Sequence, residues 1–193
     1  MSFEEAAGIS VVTETALRSL DALALKTCET LFVSGAAGGI GTAVVQIAVQ
    51  RGLTVIGSAS EKNHDYLRRL GAVPVMYGPG LKDRVRRMAP GGIDAALDVA
   101  GSGIISELIE ITGSASRVVS VADFSAEKYG ARFSKGPPEN LDAVLQEIIH
   151  LFRYAQYTVS VERTFKMERA EEAYKISESG HVQGKLVITP VPS

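Results

Sequence analysis

Short apolar runs alternate with amphipathic helical patterns from residue 30 to residue 121. Each apolar run is bounded by Gly, Pro or Ser, which is typical of strands buried on both faces of a parallel sheet. The pattern predicts five strands, at 30–34, 53–58, 73–77, 93–99 and 117–121. Because strands that alternate with helices form right-handed βαβ units, we expect an α/β fold with a doubly wound parallel sheet.

Helical patterns connect the predicted strands. The strongest follows the first strand, where Ile40, Ala43, Val44, Ile47 and Ala48 repeat at helical spacing and form one apolar face. Weaker patterns predict helices at 63–70, 81–88 and 104–111, and a leading helix at 11–23. Each strand is thus expected to have a helix that returns the chain to the same edge of the sheet.

The pattern changes at Lys135-Gly-Pro-Pro138, a stretch that cannot continue a helix or a central strand. Beyond it we predict a helix at 141–152, a strand around Val159 and Val161, a helix at 168–179 and a strand at 186–189. This short helix and strand appendage needs another part of the protein to cover its apolar faces. We therefore divide the chain into a main α/β domain at 9–136 and a C-terminal segment at 137–193.

Composition excludes several classes of protein. Twenty Lys and Arg against 22 Asp and Glu give a net charge of −2, so no basic excess favours nucleic acid or an anionic membrane as a partner. The single Cys28 excludes a disulfide framework and multi-thiolate zinc sites, and it favours a reducing, cytoplasmic location. No apolar stretch reaches the roughly 20 residues that a membrane span needs. Glycine, with 19 residues, stands out.

The densest glycine cluster, Ser34-Gly-Ala-Ala-Gly-Gly-Ile-Gly41, joins the first strand to the strongest helix. It has the form A-x-G-x-x-G, with Ala36 at the place of the first glycine of a dinucleotide-binding turn. Gly38 lets the backbone approach a pyrophosphate, and Gly41 lets the helix pack closely on the strand. An ordinary strand-to-helix turn is the alternative, but the βαβ pattern around it favours a Rossmann-type dinucleotide site.

The end of the second strand indicates which nicotinamide cofactor is preferred. A site for NAD normally has an Asp or Glu there, about 20 residues past the glycines, to bind the ribose hydroxyls. This chain has Ala59, followed by Ser60 and Lys62, which can donate hydrogen bonds to a 2′-phosphate. The sequence therefore favours NADPH. The alternative is that Ser60 caps the next helix and Lys62 is a solvated residue of its first turn.

Several motifs together resemble a known family. They are TETALRSL at 13–20, GAAGGIG at 35–41, QIA at 46–48, LGA at 70–72, GIDAALDVAG at 92–101 and GHVQGKLV at 180–187. Over essentially its whole length, the chain resembles the zinc-free quinone oxidoreductase branch of the medium-chain dehydrogenase/reductase superfamily. The resemblance implies an NADPH-dependent oxidoreductase that reduces quinones or α,β-unsaturated carbonyls by hydride transfer, with 9–136 as its NADP-binding domain.

The resemblance also implies which residues contact the cofactor. Phosphate contacts are expected at Ala37, Gly38, Gly39 and Ile40, adenosine-phosphate contacts at Ser60, Lys62 and Asn63, and nicotinamide-side contacts at Val99, Ala100, Val121 and Ala122, with Thr15 as a weaker candidate.

The resemblance also implies an N-terminal catalytic half, which we expect to be missing from this sequence. In the family the last segment crosses back to that half, which is the expected role of 137–193. Because the missing half would supply much of the substrate pocket, no catalytic residue is named. A homodimer is expected through the sheet edge at 131–134.

Two other functions stay open. The chain could act as a cofactor-binding module or NADPH sensor with little turnover, or as an enoyl-thioester reductase unit of the kind found in polyketide synthases. The latter usually have Asn-Ser-Leu-Ala-Gly where this chain has Leu97-Asp-Val-Ala-Gly101, which weighs against them. A short-chain dehydrogenase is disfavoured because none of the six tyrosines is followed four residues later by Lys.

The remaining polar residues predict no metal site and no acid/base pair. His64, His150 and His181 are scattered and lack partners at ligand spacing, so no metal is expected. Of the two carboxylates on the fourth strand, Asp98 is the better site candidate because it lies near the functional carboxyl end. The alternative for Asp98 is a structural hydrogen bond to a neighbouring loop.

Two further features have ordinary structural interpretations. Cys28 is expected to be an inert, partly buried thiol, since no His follows nearby. Arg84, Arg86 and Arg87 form a short basic run, which is expected to be a solvated helix face.

Overall fold

The computed structural model describes residues 2–136, 138, 140–154 and 157–190. Its main sheet contains β1 (Thr30–Ser34), β2 (Thr54–Ala59), β3 (Val73–Met76), β4 (Ala95–Asp98), β5 (Val118–Ser120) and β6 (Arg132–Phe133). All neighbouring strands are parallel, in the order β3-β2-β1-β4-β5-β6. The strand order reverses at β1, which confirms the doubly wound, Rossmann-type α/β sheet that the sequence predicts.

The helices follow the strands as the hydrophobic pattern predicts. They are α1 (Phe3–Leu23), α2 (Gly39–Gln50), α3 (His64–Arg69), α4 (Leu81–Met88) and α5 (Ile105–Thr112), with short 3-10 turns at Glu61–Asn63, Ala115–Arg117 and Ala126–Tyr129. In the described ranges, no helix combines the length and apolar character needed to cross a membrane.

The leading helix is longer than the apolar pattern indicates. Ser2 and Glu5 form a capping box, in which the Ser2 hydroxyl accepts from the Glu5 N–H and the Glu5 carboxylate accepts from the Ser2 N–H. With this cap, α1 begins at Phe3, in a stretch without an apolar stripe. The hydrophobic periodicity therefore predicts the start of the helix too late, at residue 11.

Side chains on β1 alternate between two apolar layers, one on each face of the sheet. Leu31 and Val33 pack in the layer formed with α1 and α2. Phe32, between them, packs in the opposite layer with Leu81 of α4 and Ile105 of α5. Because both faces are covered, the strand is apolar at consecutive positions instead of alternating with polar residues.

The C-terminal segment contains α6 (Leu141–Arg153), β7 (Val161–Lys166), a 3-10 turn at Met167–Arg169, α7 (Ala170–Glu178) and β8 (Lys185–Thr189). The two strands pair in parallel and form a small sheet separate from the main one. The predicted strand around Val159 and Val161 begins only at Val161, while Val159 itself is buried in the core.

The segment packs on the same face of the main domain as α1 and α2. Tyr157 is buried there, and its hydroxyl accepts a hydrogen bond of 3.0 Å from the Thr13 hydroxyl on α1. The Gln46 amide on α2 donates to the Thr158 carbonyl and accepts from the Thr158 N–H, both at 3.0 Å. Burial also raises the pKa of the Tyr157 phenol, so this hydroxyl stays protonated and available for hydrogen bonding.

We predict that Gly41→Ala destabilises the fold. A Cβ at this position would lie 2.2 Å from the Gly35 carbonyl oxygen and 2.7 Å from Cα of Ala36, so backbone has to shift. The expected loss in the free energy of unfolding is about 3 kcal/mol, measured by urea denaturation.

Gly38→Ala is the matched control. A Cβ at Gly38 would approach only the Gly35 carbonyl oxygen, at 3.5 Å, which is an ordinary contact. The expected loss in the free energy of unfolding is about 1 kcal/mol or less, because Ala is a poorer N-cap residue than Gly. Equal losses in the two variants would contradict the close helix-on-strand packing at Gly41.

Candidate functional site

A cleft of about 680 Å³ opens at the carboxyl edge of the main sheet. Residues that follow β1, β2, β3 and β4 line it, together with Gly180, His181 and Val182 of the C-terminal segment. In doubly wound sheets this edge, at the point where the strand order reverses, is where ligands bind. The volume lies within the range typical of small-molecule sites, roughly 300–1,000 Å³.

The glycine turn forms the floor of the cleft at the start of α2. The turn is closed by a hydrogen bond from the Gly38 N–H to the Gly35 carbonyl, and α2 begins with the Thr42 N–H donating to the Gly38 carbonyl. Ala37 and Gly38 line the cleft. Gly39 and Ile40 lie in the first turn of α2, where backbone N–H groups have no acceptor within the helix.

The glycines of this turn serve different purposes. Gly41 is packed against Gly35 and Ala36, so its lack of a side chain is required by the fold. Gly38 faces open space apart from the Gly35 oxygen, so the fold does not require glycine there. A glycine that the fold does not need, at a helix N-terminus inside a cleft, leaves room for a ligand to approach the backbone.

The C-terminal segment closes against the glycine turn. Gly38 and Gly184 form a parallel bridge, and the Gly184 N–H donates to the Ala37 carbonyl at 2.9 Å. Lys185 then lies beside the turn, since a Cβ on Gly39 would come within 2.7 Å of its Cδ. The sequence predicts a connection between the helix at 168–179 and the strand at 186–189, and it gives no sign that Lys185 in this connection reaches the first glycine turn.

The predicted adenosine-side residues follow β2, and two of them line the cleft. Ser60 and the buried Asn63 are lining residues. Ser60 occupies the N-cap position of the next turn, yet within the described part of the chain its hydroxyl makes no capping hydrogen bond. Lys62 borders a neighbouring recess, where its exposed ammonium donates to the His181 carbonyl at 3.2 Å.

Asp98 is fully buried at the end of β4, between the ends of β1 and β5. One carboxylate oxygen accepts from the Ser34 hydroxyl at 2.7 Å, and the other accepts from the Ser120 hydroxyl at 2.8 Å. The first oxygen also accepts from the N–H groups of Ala100 and Gly101, both at 3.2 Å. Asp98 thus has the structural role that the sequence left as the alternative.

The same network extends to the loop after β5. The Ser120 hydroxyl accepts from the N–H groups of Ala122 and Asp123, at 3.1 and 2.9 Å. The two loops also touch, because a Cβ on Gly101 would come within 2.9 Å of the Ala122 carbonyl oxygen. One carboxylate therefore fixes both loops at the carboxyl ends of β4 and β5.

The predicted nicotinamide-side residues lie on these two loops. Val99 and Ala100 line the cleft, whereas Val121 and Ala122 are half-buried on the adjoining loop, outside its lining. Thr15 lies on α1, is buried, and is likewise not among the described lining residues. The structure therefore brings Ala37, Gly38, Ser60, Asn63, Val99 and Ala100 into one cleft.

The described residues do not fit a metal ion. Within this part of the chain, no three His, Cys, Asp or Glu side chains come together in a way that could hold one. Cys28 is exposed, so the sequence-based expectation of a partly buried thiol is wrong. It has a positive φ of 73° and lies in the connection before β1, at the amino end of the sheet, whereas the cleft opens at the carboxyl edge.

Comparisons with known proteins agree with this geometry. The family model described as zinc-binding dehydrogenase matches residues 70–188. The pikromycin polyketide synthase component PikAII of Streptomyces venezuelae is 30% identical, over 97% of this chain and 6% of that protein.

Solved structures share the fold. The quinone oxidoreductase from Coxiella burnetii superposes with a TM-score of 0.81 at 26% identity, over 97% of this chain and 61% of that one. A mycobacterial protein solved in complex with NADPH superposes with a TM-score of 0.81 at 21% identity, over 98% of this chain and 65% of that one. The chain thus spans less than two thirds of these relatives.

The family match covers more than half of the chain and extends from β3 through β8. It therefore includes the strand ends that line one side of the cleft and the C-terminal segment that closes it. The chain belongs to the zinc-binding dehydrogenase family, within the medium-chain dehydrogenase/reductase superfamily that its sequence resembles.

Proposed function

We propose that the chain is the NADPH-binding part of an oxidoreductase. The observation that carries this proposal is the open position of Gly38, which lines the cleft at the N-terminus of α2 without being required by the fold. A pyrophosphate explains the glycine, because phosphate oxygens must come within hydrogen-bonding distance of the backbone N–H groups there. Ala37, Gly38, Gly39 and Ile40 would hold it.

Lys185 supports the same proposal. Its side chain lies beside Gly39, so it brings a positive charge to the end of α2 that already favours anions. The bridge between Gly38 and Gly184 fixes the backbone of Lys185 relative to the turn. The C-terminal segment would thereby contribute one charged group to the phosphate site.

The preference for NADPH rests on the chemistry after β2. Ser60 presents a hydroxyl that is not used for capping, and Lys62 presents an exposed ammonium close to the cleft. Both can donate to a 2′-phosphate, and Ala59 places no carboxylate where that phosphate would sit. A structural relative solved with NADPH has the same fold, which is consistent with this preference.

The Asp98 network would orient the nicotinamide end of the cofactor. When bound, the cofactor supplies a hydride for an electron-poor carbon, and the protein supplies binding, orientation and exclusion of water. Val99 and Ala100 would form the wall beside the ring, with Val121 and Ala122 on the adjoining loop. Because Asp98 holds both loops by hydrogen bonds, this wall is preorganised before the cofactor arrives.

We further propose that the substrate is a quinone or an α,β-unsaturated carbonyl. Similarity to the Coxiella burnetii quinone oxidoreductase supports this class. The family's name implies zinc, but the donor side chains of the described residues do not fit a metal ion, so no step is assigned to one. Similarity to PikAII keeps an enoyl thioester as the competing substrate class.

A cofactor-binding module with little turnover is the second candidate function. It is favoured by the role of Asp98, the buried carboxylate at the strand ends, whose two oxygens are both engaged in structural hydrogen bonds. NADPH oxidation by this chain with a small quinone or an enoyl thioester distinguishes the candidates. Turnover typical of intact enzymes, roughly 1–1,000 s⁻¹, would rule out the module.

A homodimer through β6 is also proposed. This strand ends the described sheet, with β5 on one side and no described strand on the other. An unpaired strand edge can extend the sheet by pairing with a second copy of itself.

The binding proposal predicts that the wild-type chain binds NADPH and that Gly38→Ala binds it at least about tenfold more weakly, equivalent to about 1.4 kcal/mol. A methyl group at 38 would occupy the space through which phosphate approaches the backbone. Isothermal titration calorimetry measures both affinities. Gly91→Ala is the control, since a Cβ at that position meets nothing within 4 Å and lies outside the cleft lining. Unchanged affinity in Gly38→Ala would argue against the proposed phosphate site.

Lys62→Ala is expected to weaken NADPH binding by about tenfold or more, because a hydrogen bond to a charged group contributes about 1.5–3 kcal/mol. NADH, which lacks the 2′-phosphate, should bind both proteins equally. Calorimetric titration with each cofactor tests this, with the exposed Lys128→Ala as the control for net charge. Equal affinity of the wild type for NADPH and NADH would refute the phosphate preference.

Asp98→Asn is expected to loosen the loop after β5. If the amide oxygen keeps its bonds to Ala100 and Gly101, the new NH₂ group faces the Ser120 hydroxyl, which already accepts from two N–H groups. We expect a loss of about 2 kcal/mol in the free energy of unfolding. Urea denaturation and faster amide exchange at 121–123 would report it.

Asp94→Asn provides the comparison. Asp94 is exposed and lies just before β4, at the end of the strand opposite to Asp98. Its carboxylate accepts a hydrogen bond from the Thr30 N–H. Its expected cost is below about 1 kcal/mol. Similar losses in both variants, with unchanged exchange at 121–123, would show that Asp98 does not hold the loop.

A further inference from the structure

The Arg84 side chain does not belong to a solvated helix face, contrary to the expectation from the basic run. It turns back from α4 toward the loop that precedes the helix and donates to four consecutive backbone carbonyls. Nε donates to Met76 at 3.0 Å, Nη2 to Tyr77 at 3.2 Å and to Gly78 at 2.8 Å, and Nη1 to Pro79 at 2.7 Å. Arg86 and Arg87, on the same helix, are exposed.

The loop conformation explains why a guanidinium is needed. Gly78 and Gly80 have positive φ angles of 90° and 78°, and the turn they form directs the four carbonyl oxygens to one point. A planar guanidinium carries several donors in a fixed geometry, so one side chain can satisfy all four acceptors. A cation near a helix N-terminus is otherwise unfavourable, and the four carbonyl dipoles offset that cost.

The loop held by Arg84 is one wall of the cleft. Tyr77, Gly78 and Pro79 line it, while Arg84 itself is outside the lining. β3 pairs with β2, with Met76 opposite Ala59, so the loop after β3 stands beside Ser60 and Asn63. Arg84 therefore contacts the wall of the cleft at the end where the adenosine half of the cofactor would bind.

We propose that Arg84 is a positioning residue for the adenosine half of the cofactor. It holds the loop 76–79 in the cofactor-binding conformation, so that binding does not have to order the loop. The inference rests on the proposed NADPH site. It assigns Arg84 no contact with the cofactor and no part in hydride transfer, and it confines its effect to the half of the cleft beside β2 and β3.

The test compares Arg84→Ala, Arg84→Lys and wild type in binding of three probes: NADPH, adenosine 2′,5′-bisphosphate and reduced nicotinamide mononucleotide. In Arg84→Ala the first two should bind about tenfold more weakly, because binding must now order the loop. Reduced nicotinamide mononucleotide should bind as in wild type. Arg84→Lys keeps the charge but cannot reach four carbonyls, so it should lose most of the same affinity.

Arg87→Ala is the matched control, an exposed arginine on the same helix whose removal should leave all three affinities unchanged. Exchange of the backbone amides of Tyr77, Gly78 and Gly80 in the free proteins should be faster in both Arg84 variants and unchanged in Arg87→Ala. If Arg84→Ala does not fold, Arg84→Lys gives the same comparison.

The outcomes separate this inference from the proposed function. If wild type binds no NADPH, the proposed function fails. Independently of that result, unchanged amide exchange at Tyr77, Gly78 and Gly80 in the Arg84 variants would overturn the positioning role of Arg84. If wild type binds NADPH and Arg84→Ala binds it equally well, the positioning role alone is overturned. If Arg84→Lys binds NADPH with wild-type affinity, the loss of affinity in Arg84→Ala is due to charge, and the positioning role is overturned. If Arg84→Ala loses the same affinity for adenosine 2′,5′-bisphosphate and for reduced nicotinamide mononucleotide, the loss is due to general destabilisation, and the positioning role is again overturned.

Discussion

The carboxylate of Asp98 is the interaction on which the functional edge of this protein depends. It lies in register between Ser34 of β1 and Ser120 of β5, so three adjacent parallel strands end on one buried acidic side chain. Burial of a carboxylate is tolerated only where donors surround it, and here two hydroxyls and two backbone N–H groups do so. The loops that leave β4 and β5 therefore have little freedom at their first residues.

The glycine turn beside this network solves a different problem. Gly41 allows α2 to approach the strand end more closely than any side chain would permit. That approach places the first turn of the helix over the strand ends, where its free N–H groups can face a ligand. Gly38 then keeps the path to those groups open. Two glycines in one motif thus differ, because the packing requires the one at 41 and leaves the one at 38 facing the cleft.

The other walls of the cleft come from distant parts of the chain. The C-terminal segment reaches the glycine turn through the bridge between Gly38 and Gly184, and it brings Lys185 and the 180–182 backbone to the cleft. Another wall is the loop after β3, which Arg84 holds through four backbone carbonyls of that loop. The glycine turn and the Asp98 network therefore form the centre of the cleft. The bridge between Gly38 and Gly184 holds one wall, and the Arg84 side chain holds another.

The sequence by itself determined the strands, their helices and the glycine turn, because these follow from local periodicity and from the steric freedom of glycine. It also predicts Ser60 and Lys62 as donors to a 2′-phosphate, since their position after a strand is a local property. Only the tertiary structure decided what Asp98, Lys185 and Arg84 lie against. Each depends on acceptors or donors brought together by folding: strand register for Asp98, a bridge between residues 38 and 184 for Lys185, and converging carbonyls for Arg84. Hydrophobic spacing carries no information about such convergence, because it reports which face of an element is buried and not which polar atoms meet there.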